Sequence, residues 1–180
     1  IPLRRDPLLG RGVCELVEMI SCPYPGTSMV PHGCTARFDR RLVSGETRES
    51  VLAEMRGALE HLEGMQVRYH RAELACYTGA TISDDDFHSA WVIPRGSAIV
   101  RAARAALDAA GLGAELFLAP YCTNGCASAG LLKLPTVIYG AGSVEDAHIV
   151  DESVRIEALH QDYRGYQALA RALTLIQYGV

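Results

Sequence analysis

The sequence predicts an α/β protein in which an α+β portion precedes part of an α/β sandwich. Two orders of elements predict this division: strand, strand, helix, strand over residues 1–75, and helix, strand, loop, strand, loop, helix over residues 76–180. The chain of 180 residues is 49% hydrophobic, which excludes a disordered protein because enough apolar surface is available for burial. By length, one or two domains are possible.

The first part contains three runs that predict strands and one that predicts a helix. The strands are expected at residues 13–20, 28–42 and 65–70, where apolar and polar side chains partly alternate. Thr47 is a typical N-cap of a helix, and Ser50 stands where a capping box has Glu or Gln. Apolar side chains then follow at helical spacing from Val51 to Leu62, and Gly64 is expected to end the helix.

The second part contains two predicted helices and two short predicted strands. The helices are expected at residues 98–112, where Gly111 and Gly113 close an Ala-rich run, and at residues 157–176. The strands are expected at residues 115–119 and 134–139. The acidic run at residues 84–86 is interpreted as a solvated loop. Ligands of such sheets bind at loops beyond the carboxyl ends of strands, which here are residues 120–128 and 140–152.

Charge, hydropathy and cysteine content exclude several classes of protein. A formal net charge of -4 offers no basic surface for phosphate backbones, so no nucleic-acid partner is expected. No apolar run approaches the roughly 18 residues of a membrane span, so we expect a cytoplasmic protein with no membrane partner. The six cysteines include no C-x-x-C pair, which favours free thiols over disulfides or a metal site, although Cys122 and Cys126 are four residues apart.

The loop at residues 140–152 carries the strongest chemical signal. Glycines such as Gly142 let backbone N–H groups approach an anion closely, and His148 lies among carboxylates that are typical of a zinc site. Asp151 or Glu152 is a candidate acceptor for the ring N–H of this histidine. The alternative is a polar loop whose acidic residues favour the N-terminus of the next helix.

The loop at residues 120–128 offers hydrogen-bonding side chains. Thr123 and Asn124 either bind a substrate or cap the following turn, and both alternatives stay open. Cys122 is interpreted as an inert thiol rather than a nucleophile.

Three groups of residues occur in an order that is typical of one enzyme family. They are Ser28-Met29-Val30-Pro31 with Asp39-Arg40-Arg41, Thr123-Asn124-Gly125 with Leu134-Pro135-Thr136, and Gly140-Ala141-Gly142 with Ala147-His148 and Asp151-Glu152. Together they resemble the signatures of the M20 family of metallohydrolases, which includes deacylases, aminoacylases and carboxypeptidases with a di-zinc site. The stretch from Asp39 to Leu42 followed by Gly45-Glu46-Thr47 is similar to the YgeY-type subgroup of that family.

The resemblance implies roles for six residues. His148 corresponds to the family's C-terminal metal-ligand histidine, so the implied cofactor is zinc, with cobalt or manganese as alternatives. Arg41 corresponds to the arginine that binds the substrate carboxylate, for which a planar guanidinium is suited. Further substrate contacts are implied for Ser28, where the family usually has Asn, for Asn124, where many members have Asp, and for Thr123 and Gly142.

The resemblance also implies that this chain is the C-terminal part of an enzyme. Residues 1–75 would be part of a lid and dimerisation domain, and residues 76–180 the C-terminal portion of a zinc-exopeptidase-like catalytic domain. The implied reaction is hydrolysis of an amide bond in an N-acyl amino acid or small peptide, with a small substrate that carries a carboxylate. The chain has no Glu-Glu pair, so most metal ligands and the general base would lie outside it, and we expect it to be inactive alone.

Two alternatives to a catalytic role remain. The chain is either a subunit of a split enzyme, whose partner supplies the missing ligands, or a binding and dimerisation module without catalysis. In both cases the lid of the family implies a homodimer.

Overall fold

The computed structural model describes residues 2–174, and the chain divides into two compact units, one up to Trp91 and one from Val92. The division into a lid portion (residues 1–75) and a catalytic portion (residues 76–180) stays a prediction. The described part of the first unit contains one helix and three two-stranded antiparallel sheets, and that of the second contains two helices and two short helical turns. The mixture of helices and small antiparallel sheets is consistent with the α+β character expected for the first part, whereas the sandwich expected for residues 76–180 stays a prediction. Within residues 2–174, no helix is long and apolar enough to cross a membrane.

The longest sheet of the first unit is a hairpin in which one face carries a group of apolar side chains. Its strands are β3 (Val13–Cys22) and β4 (Gly33–Arg41), and a smaller hairpin of β1 (Arg5–Asp6) and β2 (Gly10–Arg11) precedes it. The predicted strand at residues 13–20 is thus confirmed. The strand predicted at residues 28–42 begins only at Gly33.

A β-bulge determines which side chains of the hairpin share a face. Leu16 pairs with Phe38 and Met19 pairs with Ala36, with a register shift between Leu16 and Glu18. Because paired positions point to the same side of a sheet, the extra residue keeps Met19 on the face of Leu16 and Phe38. We call this set the apolar hairpin face: Leu16, Met19, Ala36 and Phe38. The opposite face carries the pairs Glu15–Asp39 and Glu18–Arg37.

The helix α1 (Arg48–Leu59) begins where the sequence predicts. The Thr47 side chain accepts a hydrogen bond from the Ser50 backbone N–H at 3.2 Å, and Ser50 Oγ accepts one from the Thr47 N–H at 2.9 Å. Serine therefore completes the capping box in place of Glu or Gln. The helix ends at Leu59, several residues before Gly64, so the predicted end is wrong.

The third sheet of the first unit lies outside the predicted strand. Residues 65–70 are not a strand; the pairing strands are β5 (Arg71–Ala75) and β6 (Thr81–Asp85). The acidic run is therefore partly in a strand rather than in a solvated loop. Asp85 binds Arg48 at 2.6 Å, and the Arg48 guanidinium lies over the rings of Tyr69 and Phe87, 5.6 and 5.2 Å from their centroids. This cation–π contact places Tyr69 beside α1 instead of in a sheet.

The second unit is built on two helices, α2 (Ala98–Ala109) and α3 (Ile156–Leu173). They pack through Ala103, Leu107 and Leu169, and partly buried side chains that include Val137 and Tyr139 surround these three. Gly111, with φ +71°, follows the end of α2 as predicted, since a left-handed residue there suits glycine. Residues 175–176 of the predicted last helix lie outside the described range.

The two strands predicted in the second unit are wrong. Residues 115–119 and 134–139 are not strands, and no strand pairing involves residues 92–174. Their apolar side chains are nevertheless used, because Val137 and Tyr139 pack on the helix core. A strand needs a hydrogen-bonded neighbour, and an apolar run shows only that burial is favourable.

Candidate functional site

The loop at residues 140–152 is fixed at its start by α3. The Ala141 N–H donates a hydrogen bond to Asp162 Oδ2 at 2.5 Å, and Tyr166 Oη donates to the Tyr139 carbonyl oxygen at 2.6 Å. The Tyr139 and Tyr166 rings pack edge to face with centroids 5.3 Å apart. Burial, followed by the nearby Asp162 carboxylate, raises the pKa of Tyr139 above its usual range. This side of the loop is therefore held by hydrogen bonds and ring packing.

A cleft of about 510 Å³ opens between this loop and the start of α3. Gly142, which was predicted to line a substrate pocket, is among its lining residues and has φ +100°, a conformation that favours glycine. The polar side chains that line the cleft are Ser143, Asp146, Ser153, Arg155, Gln161 and Asp162. His148 is not one of the described residues that line it.

His148 is exposed and lies in a left-handed turn of the same loop. Its φ is +62°, and its backbone N–H donates to Glu152 Oε2 at 2.8 Å. Glu152 therefore binds the main chain of His148, whereas the sequence offered Asp151 or Glu152 as an acceptor for the ring N–H. Such a conformation costs a non-glycine residue about 1–3 kcal/mol and is typical of constrained functional positions.

His148 fits one ligand position of a zinc site but does not form a site with its neighbours. Among residues 2–174, no close group of three or more metal-ligand atoms includes His148. Zinc takes four ligands, of which proteins supply at least three. The described residues around His148 thus do not hold the implied ion by themselves. In the second unit, the Sγ atoms of Cys122 and Cys126 do lie within 4.8 Å of each other.

Sequence reasoning missed an H-x-D spacing at His160 and Asp162. Both residues lie within α3, and Asp162 already binds the Ala141 N–H. The carboxylate therefore anchors the loop at residues 140–152. The spacing alone was visible in the sequence, but this hydrogen bond across 21 residues was not.

Thr123 and Asn124 form a turn that precedes a short π-helix, Cys126–Leu131. Thr123 Oγ1 accepts from the Gly125 N–H at 3.1 Å, and the Thr123 carbonyl oxygen accepts from the Cys126 N–H at 3.0 Å. The turn-forming alternative for Thr123 is therefore observed. Substrate contacts of Thr123 and Asn124 stay a prediction.

Ser28 and Arg41 belong to the first unit. Arg41 ends β4, its side chain is 63% exposed, and its Nη2 lies 2.9 Å from Asp39 Oδ2. These two residues of the predicted signature therefore bind each other, two positions apart on one face of the strand. Ser28 is exposed in the loop between β3 and β4 and has φ +56°. A substrate carboxylate would have to compete with Asp39 for the Arg41 guanidinium.

The neighbouring Arg40 has a structural role that the sequence did not reveal. Its Nη2 contacts the carboxylates of Glu46 and Glu54, and the side chains of Arg40 and Glu46 are only 7% and 1% exposed. Glu46 also accepts a hydrogen bond from the Val43 N–H at 2.6 Å. Burial would lower the pKa of Arg40, but the hydrogen bonds to Glu54 and Glu46 outweigh it and raise the pKa. The Asp39-Arg40-Arg41 … Glu46 pattern therefore includes a buried ion pair of the first unit.

Comparison with known proteins supports the similarity to YgeY. The chain is 26% identical over 150 residues to the uncharacterized protein YgeY of Escherichia coli strain K12, a match that covers 82% of this chain and 37% of that protein. The protein of the same name from Escherichia coli O157:H7 matches equally, with 26% identity over 150 residues. The chain thus spans about 37% of the length of the curated relatives it matches. No family model and no solved structure matches it.

Proposed function

We propose that this chain is the C-terminal part of a di-zinc amide hydrolase of the M20 type. The whole enzyme would cleave the amide bond of an N-acyl amino acid or small peptide, and this chain alone would be inactive. The observation that carries the proposal is the loop at residues 140–152, which presents an exposed His148 from a constrained turn. The match to YgeY over 82% of the chain supports it, as do the signature segments.

In this proposal the chain supplies few of the groups that the reaction needs. His148 is one metal ligand, and the remaining ligands of zinc, cobalt or manganese belong to a catalytic segment that these residues do not contain. Arg41 binds the substrate carboxylate in a bidentate contact that replaces its contact with Asp39. Thr123, Asn124, Gly142 and Ser28 complete the substrate contacts. The second unit would be the closing portion of a zinc-exopeptidase-like sandwich.

A chimera tests this proposal with a readout that does not depend on the substrate. The 150-residue matching segment of YgeY would be replaced by the corresponding segment of this chain, and the zinc content of the purified protein measured. We expect the chimera to bind zinc and His148→Ala to lower the occupancy, since a ligand is lost. His61→Ala, which also removes an exposed histidine, is the matched control.

Two results would contradict the proposal. One is equal zinc content in the chimera and in its His148→Ala variant. The other is robust hydrolysis of N-acyl amino acids by the 180-residue chain alone, because the chain would then contain a complete active site.

The apolar hairpin face favours a second candidate, a non-catalytic dimerisation module or a subunit of a split enzyme. Leu16, Met19 and Phe38 are 49%, 63% and 43% exposed, and they lie side by side on one face of the β3–β4 hairpin. Contiguous exposed apolar side chains of this kind mark interaction surfaces. A homodimer through this face would bury them.

Sedimentation of the chain tests the second candidate. We expect a dimer that Phe38→Glu converts to a monomer, because a charge would be buried in the interface. Thr35→Glu, on the opposite face of β4, should leave the dimer intact. A monomer at all concentrations would exclude self-association through this face.

A further inference from the structure

Cys122 and Cys126 form a pair of thiols that the proposed hydrolase function does not use. Both lie in the second unit, on either side of the turn at Thr123 and Asn124. Their Sγ atoms lie within 4.8 Å of each other. Cys122 is exposed and Cys126 is half-buried, so the pair is accessible from solvent.

Backbone hydrogen bonds of the turn hold the two cysteines together. The Cys126 N–H donates to the Thr123 carbonyl oxygen at 3.0 Å, and Thr123 Oγ1 accepts from the Gly125 N–H at 3.1 Å. The next turn is closed by the Ala127 N–H, which donates to the Asn124 carbonyl oxygen at 3.1 Å. The proximity of the thiols is therefore built into the main chain, and a ligand that binds both would not have to order this segment first.

The separation of the two sulfur atoms suits a shared thiophilic metal ion. With a metal–sulfur distance of about 2.3 Å, two sulfurs on one tetrahedral ion lie about 3.8 Å apart, and they cannot lie more than about 4.6 Å apart. In this structure the two Sγ atoms lie no more than 4.8 Å apart. A small rotation of the exposed Cys122 side chain would bring them to the separation that a shared ion needs. Thiolates select ions such as zinc and copper(I) over magnesium or calcium.

We propose that Cys122 and Cys126 together supply two thiolate ligands to a soft or borderline metal ion. Each thiol loses its proton when the ion binds, and water or another group completes the coordination. This thiolate pair differs in chemistry from His148, whose proposed ligand atom is an imidazole nitrogen. It therefore does not depend on the hydrolase proposal.

Cadmium titration of the full chain tests this inference. Cadmium is a thiophilic probe, and its bonds to thiolates absorb in the ultraviolet, so the probe reports sulfur ligation directly. We expect one strongly bound ion per chain under reducing conditions, and loss of the absorption in Cys122→Ser and in Cys126→Ser. Cys34→Ser and Cys76→Ser are controls of matched exposure and should retain it. His148→Ala should also retain it.

A folding control separates loss of metal binding from loss of structure. Circular dichroism would show whether each variant folds, and Cys126→Ala replaces Cys126→Ser if the latter does not. The proposal is overturned if both single variants bind cadmium as the parent chain does, or if His148→Ala abolishes the absorption. It is also overturned if the reduced chain binds no cadmium and oxidised glutathione instead converts the pair to a disulfide.

Discussion

Replacing Gly165 with alanine tests how α3 positions the loop at residues 140–152. A Cβ atom at Gly165 would lie 2.6 Å from Cζ and 2.7 Å from Cε1 of Tyr139. These distances are about 1 Å shorter than carbon atoms adopt when they pack. The Tyr139 ring is held by its edge contact with Tyr166, whose hydroxyl also binds the Tyr139 carbonyl oxygen. Movement of the ring away from Gly165 would therefore disturb its edge contact with Tyr166.

Two opposing effects determine how Gly165→Ala changes the free energy of unfolding. Alanine stabilises a helix interior by about 1 kcal/mol relative to glycine. Overpacking costs about 1–3 kcal/mol, and we expect a cost in the upper part of this range because the ring is held in place. We therefore expect Gly165→Ala to lower the free energy of unfolding by about 1–2 kcal/mol. Gly57→Ala is the matched control: nothing lies within 4 Å of its Cβ position in α1, so it should stabilise by about 1 kcal/mol.

Urea unfolding followed by circular dichroism measures both variants. Gly165→Ala should become stabilising when Tyr139→Ala has removed the ring, because only the helix propensity then remains. A Gly165→Ala variant as stable as the parent chain would refute the reasoning. So would an equal loss of stability with and without the Tyr139 ring.

Three further predictions concern the first unit. Glu46→Ala leaves the buried Arg40 with one carboxylate, that of Glu54, so the free energy of unfolding in urea should fall by about 1.5–3 kcal/mol; a loss below about 1 kcal/mol would argue against the buried ion pair. The hydrogen bond from Arg40 lowers the pKa of Glu54 below its ordinary 4.5. The ionised Glu54 therefore contributes to stability above pH 4.5, and this contribution is lost as the pH falls through the lowered pKa. Urea unfolding at neutral and acidic pH should accordingly show a smaller loss on acidification for Glu54→Gln, and an unchanged loss would contradict this. Thr47→Ala removes the N-cap of α1 and should cost about 1 kcal/mol in thermal unfolding, with no change expected if the capping box is not formed.

The helices and the start of α1 were predictable because the interactions that define them are local. The start of α1 and the position of α3 followed from apolar spacing, and α2 followed from an Ala-rich run closed by glycines. The capping of α1 by Thr47 followed from residue types three positions apart. The exposed His148 and the pocket-lining Gly142 were also singled out in the sequence, since glycines and a histidine among carboxylates are unusual together.

The pairing of strands was decided only by the tertiary structure. The third sheet of the first unit forms at residues 71–75 and 81–85, whereas alternation of apolar side chains predicted a strand at residues 65–70. Pairing depends on which segments meet in the folded chain, and alternation does not encode a partner. The runs at residues 115–119 and 134–139 show the same limit, because they are apolar but have no strand neighbour among residues 92–174.

The partners of charged side chains were likewise decided by tertiary packing. Residue types alone did not reveal that Arg40 is buried against Glu46, or that the Glu152 carboxylate binds the main chain of His148 rather than its ring. The sequence by itself thus determined the helices, the α1 cap and the loop that presents His148, all of which depend on residues close together in the chain. Hydrogen bonds and ion pairs between side chains depend on the direction and burial of each group, and these are fixed only when the elements pack.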